Sequence, residues 1–250
     1  DGKYRDACEN IQQLKPGQAM YGGDAFWNSY WNLNGLWSIV SPEIIDNWVT
    51  TQLEMYRHTG WTSKGPAGIE YSGIMEGSHE VALMVAAYQK KIRKDGDAIY
   101  EAVHKMVTNP GGEHPCGGTY GQIDLDAYAR YGYMPSEINV VSKTLDYAYD
   151  DFCVSQLAKA LGKKKDATFL EKRSMNYKNV FHPGFIEGNS WQYSWYVPHD
   201  IKGLIKLIGK EKALERLSDG FEKSRKHNFA AHVFDRTIEP VEYLSCVILA

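Results

Sequence analysis

The segment Gly184–Asp200 (GFIEGNSWQYSWYVPHD) is the densest gathering of reactive and hydrogen-bonding side chains in the chain. It carries Glu187, Asn189, Trp191, Gln192, Tyr193, Trp195, Tyr196, His199 and Asp200. Glu187 sits between Ile186 and Gly188, and three aromatics follow it. An apolar setting disfavours the ionised carboxylate and raises its pKa. A carboxyl that keeps its proton near neutral pH is what a general acid requires. The same position also suits a loop glutamate that caps the next helix, and the segment alone leaves both readings open.

A second cluster, Tyr21–Trp37 (YGGDAFWNSYWNLNGLW), interleaves Trp27, Trp31 and Trp37 with Asn28, Asn32 and Asn34. Flat apolar faces beside amide donors and acceptors suit a sugar ring, which wants a platform below and hydrogen bonds at its edge. The alternative is an aromatic helix buried in a core. The asparagines weigh against it, since buried amides must find partners. Asp146 and Asp150 are four apart on a helical pattern and share a face, with Asp151 beside them. Paired acids of this kind could hold a cation or a metal-bound diphosphate, as in terpene cyclases, although the longer acid-rich motif of those enzymes is missing. His79 and Glu80 are adjacent, but position 83 is Leu, so H-E-x-x-H and a zinc protease are excluded. No G-x-S-x-G elbow or Walker loop is present.

Helices must position these groups. Ser41-Pro42-Glu43 reads as a helix start, with a capping serine, proline in the first turn and an acid behind it. Ile44, Ile45, Trp48, Val49, Leu53 and Tyr56 continue it at helical spacing. Further helices are expected over Ser78–Arg93, Asp97–Val107, Ser142–Leu161 (stopped by Gly162), Asp166–Val180, Ile201–Ile208 (ended by Gly209) and Glu211–Ser224. Strand signals are weak, and no alternating run flanks a two-residue turn. Two Gly- and Pro-rich loops, Gly60–Gly73 and Asn109–Gln122, cannot be helical, and loops of that length in a compact helical domain are usually functional. The expected class is all-α, a toroid of paired helices with its site at one rim, in one domain spanning residues 1–250.

The 250 residues carry 28 Lys+Arg against 31 Asp+Glu, a formal net charge of −3. That near-neutral balance argues against nucleic acid as a main partner, because phosphate binding needs a strongly basic face. The longest apolar runs, such as Val81–Tyr88, fall far short of the ~20 residues that span a bilayer. A chain of this length buries roughly three quarters of its unfolded surface and needs no staples to form a core. Aromatic residues make up 13% of the chain, which suits sugar binding and large helical cores alike. Cys8, Cys116, Cys153 and Cys246 are widely spaced with no C-x-x-C, so a zinc knuckle is not expected, and the sequence does not say which cysteines pair. Cys153 reads as a plain core residue. The opening DGKYRDACENI and closing VEYLSCVILA both read as cuts.

Five strings taken together resemble glycoside hydrolase family 92, the calcium-dependent exo-acting α-mannosidases: YGGDAFWNSYWNLNGLWSIVSPEI, KGPAGIEYSGIMEGSHEVAL, VSKTLDYAYDDFCVSQLAKALGK, EGNSWQYSWYVPHD and SRKHNFAAHVFD. They occur in the family's order over most of the chain. The resemblance implies an (α/α)₆ toroid, preceded in the family by a β-sandwich, and inverting hydrolysis of a terminal α-mannoside by direct attack of water. Two carboxyls about 6.5–9.5 Å apart serve that geometry. By motif, Glu187 is the implied general acid. Trp27, Asn28, Glu70, His79, Trp191, Gln192, His199 and Asp200 are the implied lining of the sugar site. Mannose-containing glycans are the implied partners, calcium the implied cofactor, and a secreted or periplasmic location the implied setting.

The departures are as informative. The G-D-x-D-x-G-x-M motif that carries the family's base is not among these residues, nor is its N-E-P-like calcium stretch, so the calcium ligands are unknown. Some tens of residues usual between Val180 and Phe185 are also missing, and Asp146 stands where a Glu is more usual. Losing a general base costs ~10²–10⁴-fold, so these 250 residues alone are expected to be nearly inactive. A partial toroid would leave helix faces uncovered for other chains or segments to complete. Two functions follow: part of a working α-mannosidase, or an inactive sugar-binding or structural relative that assembles with other chains.

Overall fold

The structure is a computed structural model that describes residues 2–22, 26–30, 32–64, 71–72, 77–140, 142–180 and 193–226. Helices dominate it. Helix α1 is the short Phe26–Ser29, followed by α2 (Leu33–Val40), α3 (Pro42–Thr59), α4 (His79–Gln89), α5 (Gly96–Thr108) and α6 (Leu125–Tyr131). Then come α7 (Lys143–Ala160), α8 (Lys164–Arg173), a 3₁₀ helix (Ser174–Val180), α9 (Ile201–Ile208) and α10 (Lys210–Arg225). Helix α3 starts with Pro42 in its first turn and stops at Gly60, whose φ of 87° is left-handed. Ser41 occupies the cap position, but its hydroxyl makes no capping bond.

Three expectations change. Helix α4 ends at Gln89 rather than Arg93, because Lys91 turns to a φ of 61° and the N–H groups of Ile92 and Arg93 fold back onto the Ala87 carbonyl. The helix expected over 166–180 splits into α8 and the 3₁₀ helix. At the junction the Arg173 carbonyl accepts from Tyr128 and the Ser174 carbonyl from His199, which draws both toward side chains rather than the α ladder. The all-α class also gains two antiparallel hairpins. Strand β1 (Lys3–Arg5) pairs with β2 (Ile11–Gln13), and β3 (Gly112–Glu113) with β4 (Thr119–Tyr120). Their turns are longer than the two-residue type. One uses Glu9 at a φ of 66° and the other Gly117 and Gly118 at 100° and 77°. A disulfide between Cys8 and Cys116 joins the two hairpin turns across 108 residues of sequence, while Cys153 is buried and free, as a core residue would be.

Helix α7 is the axis of the packing. Thirteen of its 18 residues are buried, so it is covered nearly all round. Val154, Leu157 and Ala158 join α3, α4, α5 and α8 in the main apolar cluster through Val49, Val81, Met84, Val103, Met106 and Leu170. Leu145 and Ala148 face a second cluster built from Tyr30, Tyr177, Trp195, Tyr196 and Leu204. Trp37 packs against the main cluster. Helix α2 has no buried residue and exposes Leu36, Ile39 and Val40 by 53%, 78% and 62%, an apolar face uncovered among the described residues. Among the described residues no helix is long and apolar enough to cross a membrane.

Candidate functional site

Three aromatic side chains from distant parts of the chain meet at the N-terminus of α4. His79, its first residue, is 1% exposed, and its Nε2 lies 3.0 Å from the Tyr196 hydroxyl. Tyr30 donates its hydroxyl to the Tyr196 oxygen at 2.7 Å. The Tyr30 ring stands edge-on to the His79 ring at 4.2 Å. Burial, helped by the charge of Lys64, pulls the His79 pKa down to about 3, so the imidazole is neutral. Asp146 Oδ1 is 3.9 Å from Nε2, too far for a hydrogen bond. Gly77 makes the ring's position possible, since a Cβ there would sit 2.4 Å from His79 Cε1. The contacts are tertiary: 117 residues separate His79 from Tyr196, and 166 separate Tyr30 from Tyr196.

Beneath this trio lies a layer of buried polar groups. Asp150, fully buried on α7, accepts from the Ser78 N–H at 2.9 Å and from Gln122 Nε2 at 2.7 Å. It therefore fastens both the start of α4 and the loop after β4. Burial raises its pKa well above the usual carboxylate range, and Glu80, Asp146 and Asp151 add to the rise. Glu80 is also fully buried and is raised to about 8 by desolvation, so it holds its proton at neutral pH and accepts from Thr62 Oγ1 at 3.0 Å. Asp151 meets Arg173 through Nε at 2.7 Å and Nη2 at 2.6 Å. Burial raises Asp151 to about 6, and the guanidinium holds it there against a larger rise. The β3–β4 hairpin braces this layer from outside. Gly118 lies so close to residue 71 that a Cβ would meet the Tyr71 carbonyl oxygen at 2.1 Å, and the Trp61 and Tyr120 rings stack at 4.4 Å.

The sequence-derived candidates divide into two groups. His79, His199 and Asp200 are described. His199 stacks on Phe152 at 5.4 Å and donates from Nε2 to the Ser174 carbonyl at 2.9 Å. Its burial lowers its pKa to about 4, and its Nδ1 has no partner among the described residues. Asp200 caps α9 through the Gly203 N–H at 3.0 Å and accepts from the Tyr177 hydroxyl at 2.8 Å, which occupies both carboxylate oxygens structurally. Trp27 and Asn28 lie on α1, and their side chains fall outside the described residues, as do Glu70, Glu187, Trp191 and Gln192. Sequence reasoning did not single out Tyr30, Gln122 or the buried run Thr62-Ser63-Lys64, and it named Tyr196 only as one aromatic among several. The available signal was that Tyr30 and Tyr196 sit inside the two Trp-rich strings.

Calcium asks for six to eight oxygen ligands. The group of potential ligands within reach of one ion, among the described residues, is Cys8, His114 and Cys116, which offers sulfur and nitrogen. Asp150 is spent on the start of α4 and the Gln122 amide, Asp151 on the Arg173 guanidinium, and Glu80 bonds the Thr62 hydroxyl. The described residues thus do not supply a calcium site.

Comparison with known proteins places this architecture. The model of the glycosyl hydrolase family 92 catalytic domain matches residues 1–184 and, as a second piece, 182–242. A relative described as an uncharacterized secreted glycosidase from Arthroderma benhamiae is 26% identical, over 75% of this chain and 31% of its own length. A family GH92 α-mannosidase from Bacteroides thetaiotaomicron, solved in complex with mannoimidazole, superposes with a TM-score of 0.79 at 26% identity, covering 89% of this chain and 33% of that one. A family GH92 inverting mannosidase from the same organism gives 0.75 at 25% identity, over 88% and 34%. The chain spans about a third of the length of these relatives. With the family model covering nearly all of its residues and its helices superposing on those of solved members, the chain belongs to glycosyl hydrolase family 92.

Proposed function

We propose that this chain is the part of an α-mannosidase catalytic domain that carries the general acid, and that it acts on terminal α-mannosides of glycans. The observation that carries this reading is the meeting of Tyr30, His79, Asp146 and Tyr196, which come from four of the five strings that resemble the family. Glu187 lies nine residues before Tyr196 in the same string. It is the proposed acid that protonates the leaving oxygen, while water attacks the opposite face of the sugar. Trp27, Asn28, Glu70, Trp191 and Gln192 are the proposed sugar contacts. The neutral His79 and the two tyrosines hold the floor of the site rigid. The helices are then an arc of the (α/α)₆ ring, calcium binds through residues beyond those described, and the Cys8–Cys116 disulfide suits a secreted protein.

The absence of G-D-x-D-x-G-x-M from these 250 residues favours a second reading, an inactive sugar-binding relative. Mannose release from an α-1,2-linked mannobiose, with calcium and then with chelator, separates the two. The first reading expects calcium-dependent release by the longest native polypeptide containing this chain, and loss of release in Glu187→Gln with mannose binding retained. Binding without release at any calcium concentration supports the second. Full activity in Glu187→Gln overturns the acid assignment.

A further inference from the structure

The cleft between α3 and α5 has no part in the proposed hydrolysis. On α3, Leu53 and Glu54 are followed one turn on by Tyr56 and Arg57, and these four side chains form one wall. Ala98 and Glu101 of α5 form the other. The cleft holds about 530 Å³, within the ~300–1,000 Å³ of small-molecule sites. We infer that it is a second saccharide-binding site, which holds neutral hexose units of a glycan whose terminal residue is cleaved at the proposed acid. The inference rests on the proposed function for the choice of mannose as the hexose.

The lining offers hydrogen-bonding atoms that are not already spent. Glu54 receives the Tyr4 hydroxyl at 3.0 Å and the Arg57 guanidinium on Oε2, which leaves Oε1. Glu101 receives the Tyr56 hydroxyl at 3.1 Å on Oε1, which leaves Oε2. Arg57 engages Glu54 and His58 through Nη2 alone, so Nε and Nη1 keep their hydrogens for other partners. A sugar hydroxyl donates and accepts at once. Carboxylate oxygens and guanidinium N–H groups in one cleft therefore suit neighbouring hydroxyls, and bonds to charged groups are roughly twice as strong as neutral ones.

The charges point to a neutral ligand. Glu54 and Glu101 are balanced by Arg57 and by Lys105, whose Nζ lies 5.7 Å from the Tyr56 ring centre and donates to the Gly60 carbonyl at 2.8 Å. An ion would lose to half of these charges what it gains from the other half. Leu53, Ala98 and the Tyr56 ring add apolar surface, which suits the C–H face of a pyranose. The walls are also set before a ligand arrives. Tyr56 bridges α3 to Glu101 on α5, and Tyr4 fastens Glu54 to the first hairpin, so these side chains have little freedom left to lose on binding.

The test is isothermal titration calorimetry of the full chain with an α-1,2-linked mannotetraose, without and with excess mannoimidazole, the compound bound in a solved relative. Binding should persist in excess mannoimidazole. It should fall at least about tenfold in Glu101→Ala, which removes a charged acceptor, and in Ala98→Trp, which fills the cleft. Both positions are exposed, and circular dichroism checks that both variants fold. Mannose release from mannobiose by the longest native polypeptide should be unchanged in both. Binding that mannoimidazole abolishes, or that is unchanged in either variant, overturns the proposal. So does a raised KM for mannobiose in the variants, since the cleft would then belong to the catalytic site. A wild-type protein that releases no mannose, yet binds mannotetraose in excess mannoimidazole and through Glu101, refutes the hydrolysis and upholds the second site.

Discussion

At the level of single residues the chain is unusual for the acids and imidazoles it keeps dry. Glu80 is fully buried with a pKa near 8, against an ordinary 4.5, so the folded state retains a proton that the unfolded state has released. Its stabilising contribution is complete below about pH 4.5 and is lost as pH rises to about 8. His79 and His199 act from the other side. Their folded values near 3 and 4 lie below 6.5, so stability falls as pH drops beneath 6.5 and the unfolded chain takes up protons first. Asp151 has the same sense as Glu80 but has titrated by about pH 6. Glu80→Gln should therefore flatten the stability profile between pH 6 and 8 by roughly 2 kcal/mol, at about 1.4 kcal/mol per proton per pH unit. Denaturant midpoints at pH 6 and 8 measure it, and an unchanged slope rules the assignment out. Tyr196→Phe tests the trio. It removes the hydroxyl that hydrogen-bonds to both Tyr30 and His79, two bonds of about 1 kcal/mol each. On the proposed function, the expected result is a several-fold fall in mannoside release, with circular dichroism unchanged.

At the level of elements, α7 determines what its neighbours can do. Asp146 and Asp150 turn toward α4 and the β4 loop, while Asp151 points across to Arg173 at the end of α8. Arg173 also donates to the Val107 carbonyl at the end of α5, so one guanidinium joins three helices. Removing one member of a buried pair strands the other charge and costs about 3–5 kcal/mol. Arg173→Ala should lower stability by that order. The double change Arg173→Met with Asp151→Leu should recover most of the loss, because apolar residues of similar volume replace buried pairs well. Urea unfolding of the three proteins decides it. Equal losses in the single and double variants would show that packing, rather than the stranded charge, sets the cost. The helices themselves were legible from Pro42, Gly60, Gly162 and Gly209 and from apolar spacing. The 3₁₀ segment was not, because Tyr128 and His199, which take its carbonyls, come from elsewhere in the chain.

At the level of the whole molecule, the Cys8–Cys116 link closes a loop of 108 residues. In the chain-entropy account a loop of about 100 residues gains ~4–5 kcal/mol by restricting the unfolded state. Reduction in metal-free buffer should lower the melting temperature, and Cys8→Ser should match the reduced protein without responding to reductant. A melting temperature that ignores reductant would mean the two turns hold together without the bond. The exposed Leu36, Ile39 and Val40 of α2 form an apolar face uncovered among the described residues.

The amino-acid order by itself determined the helical class, the boundaries of the helices that stop at glycine, and the strings that resemble family 92, because periodicity, capping and motif are local properties. It also identified Cys153 as core. Only the tertiary structure decided that Tyr30 and Tyr196 complete a hydrogen-bonded trio with His79, that Asp150 joins α4 to the loop after β4, and that Cys8 meets Cys116 and His114. Those pairings span from 28 to 166 residues of sequence. No local pattern encodes them, since they arise when helix packing brings distant side chains into a dry interior where each polar group must find a partner.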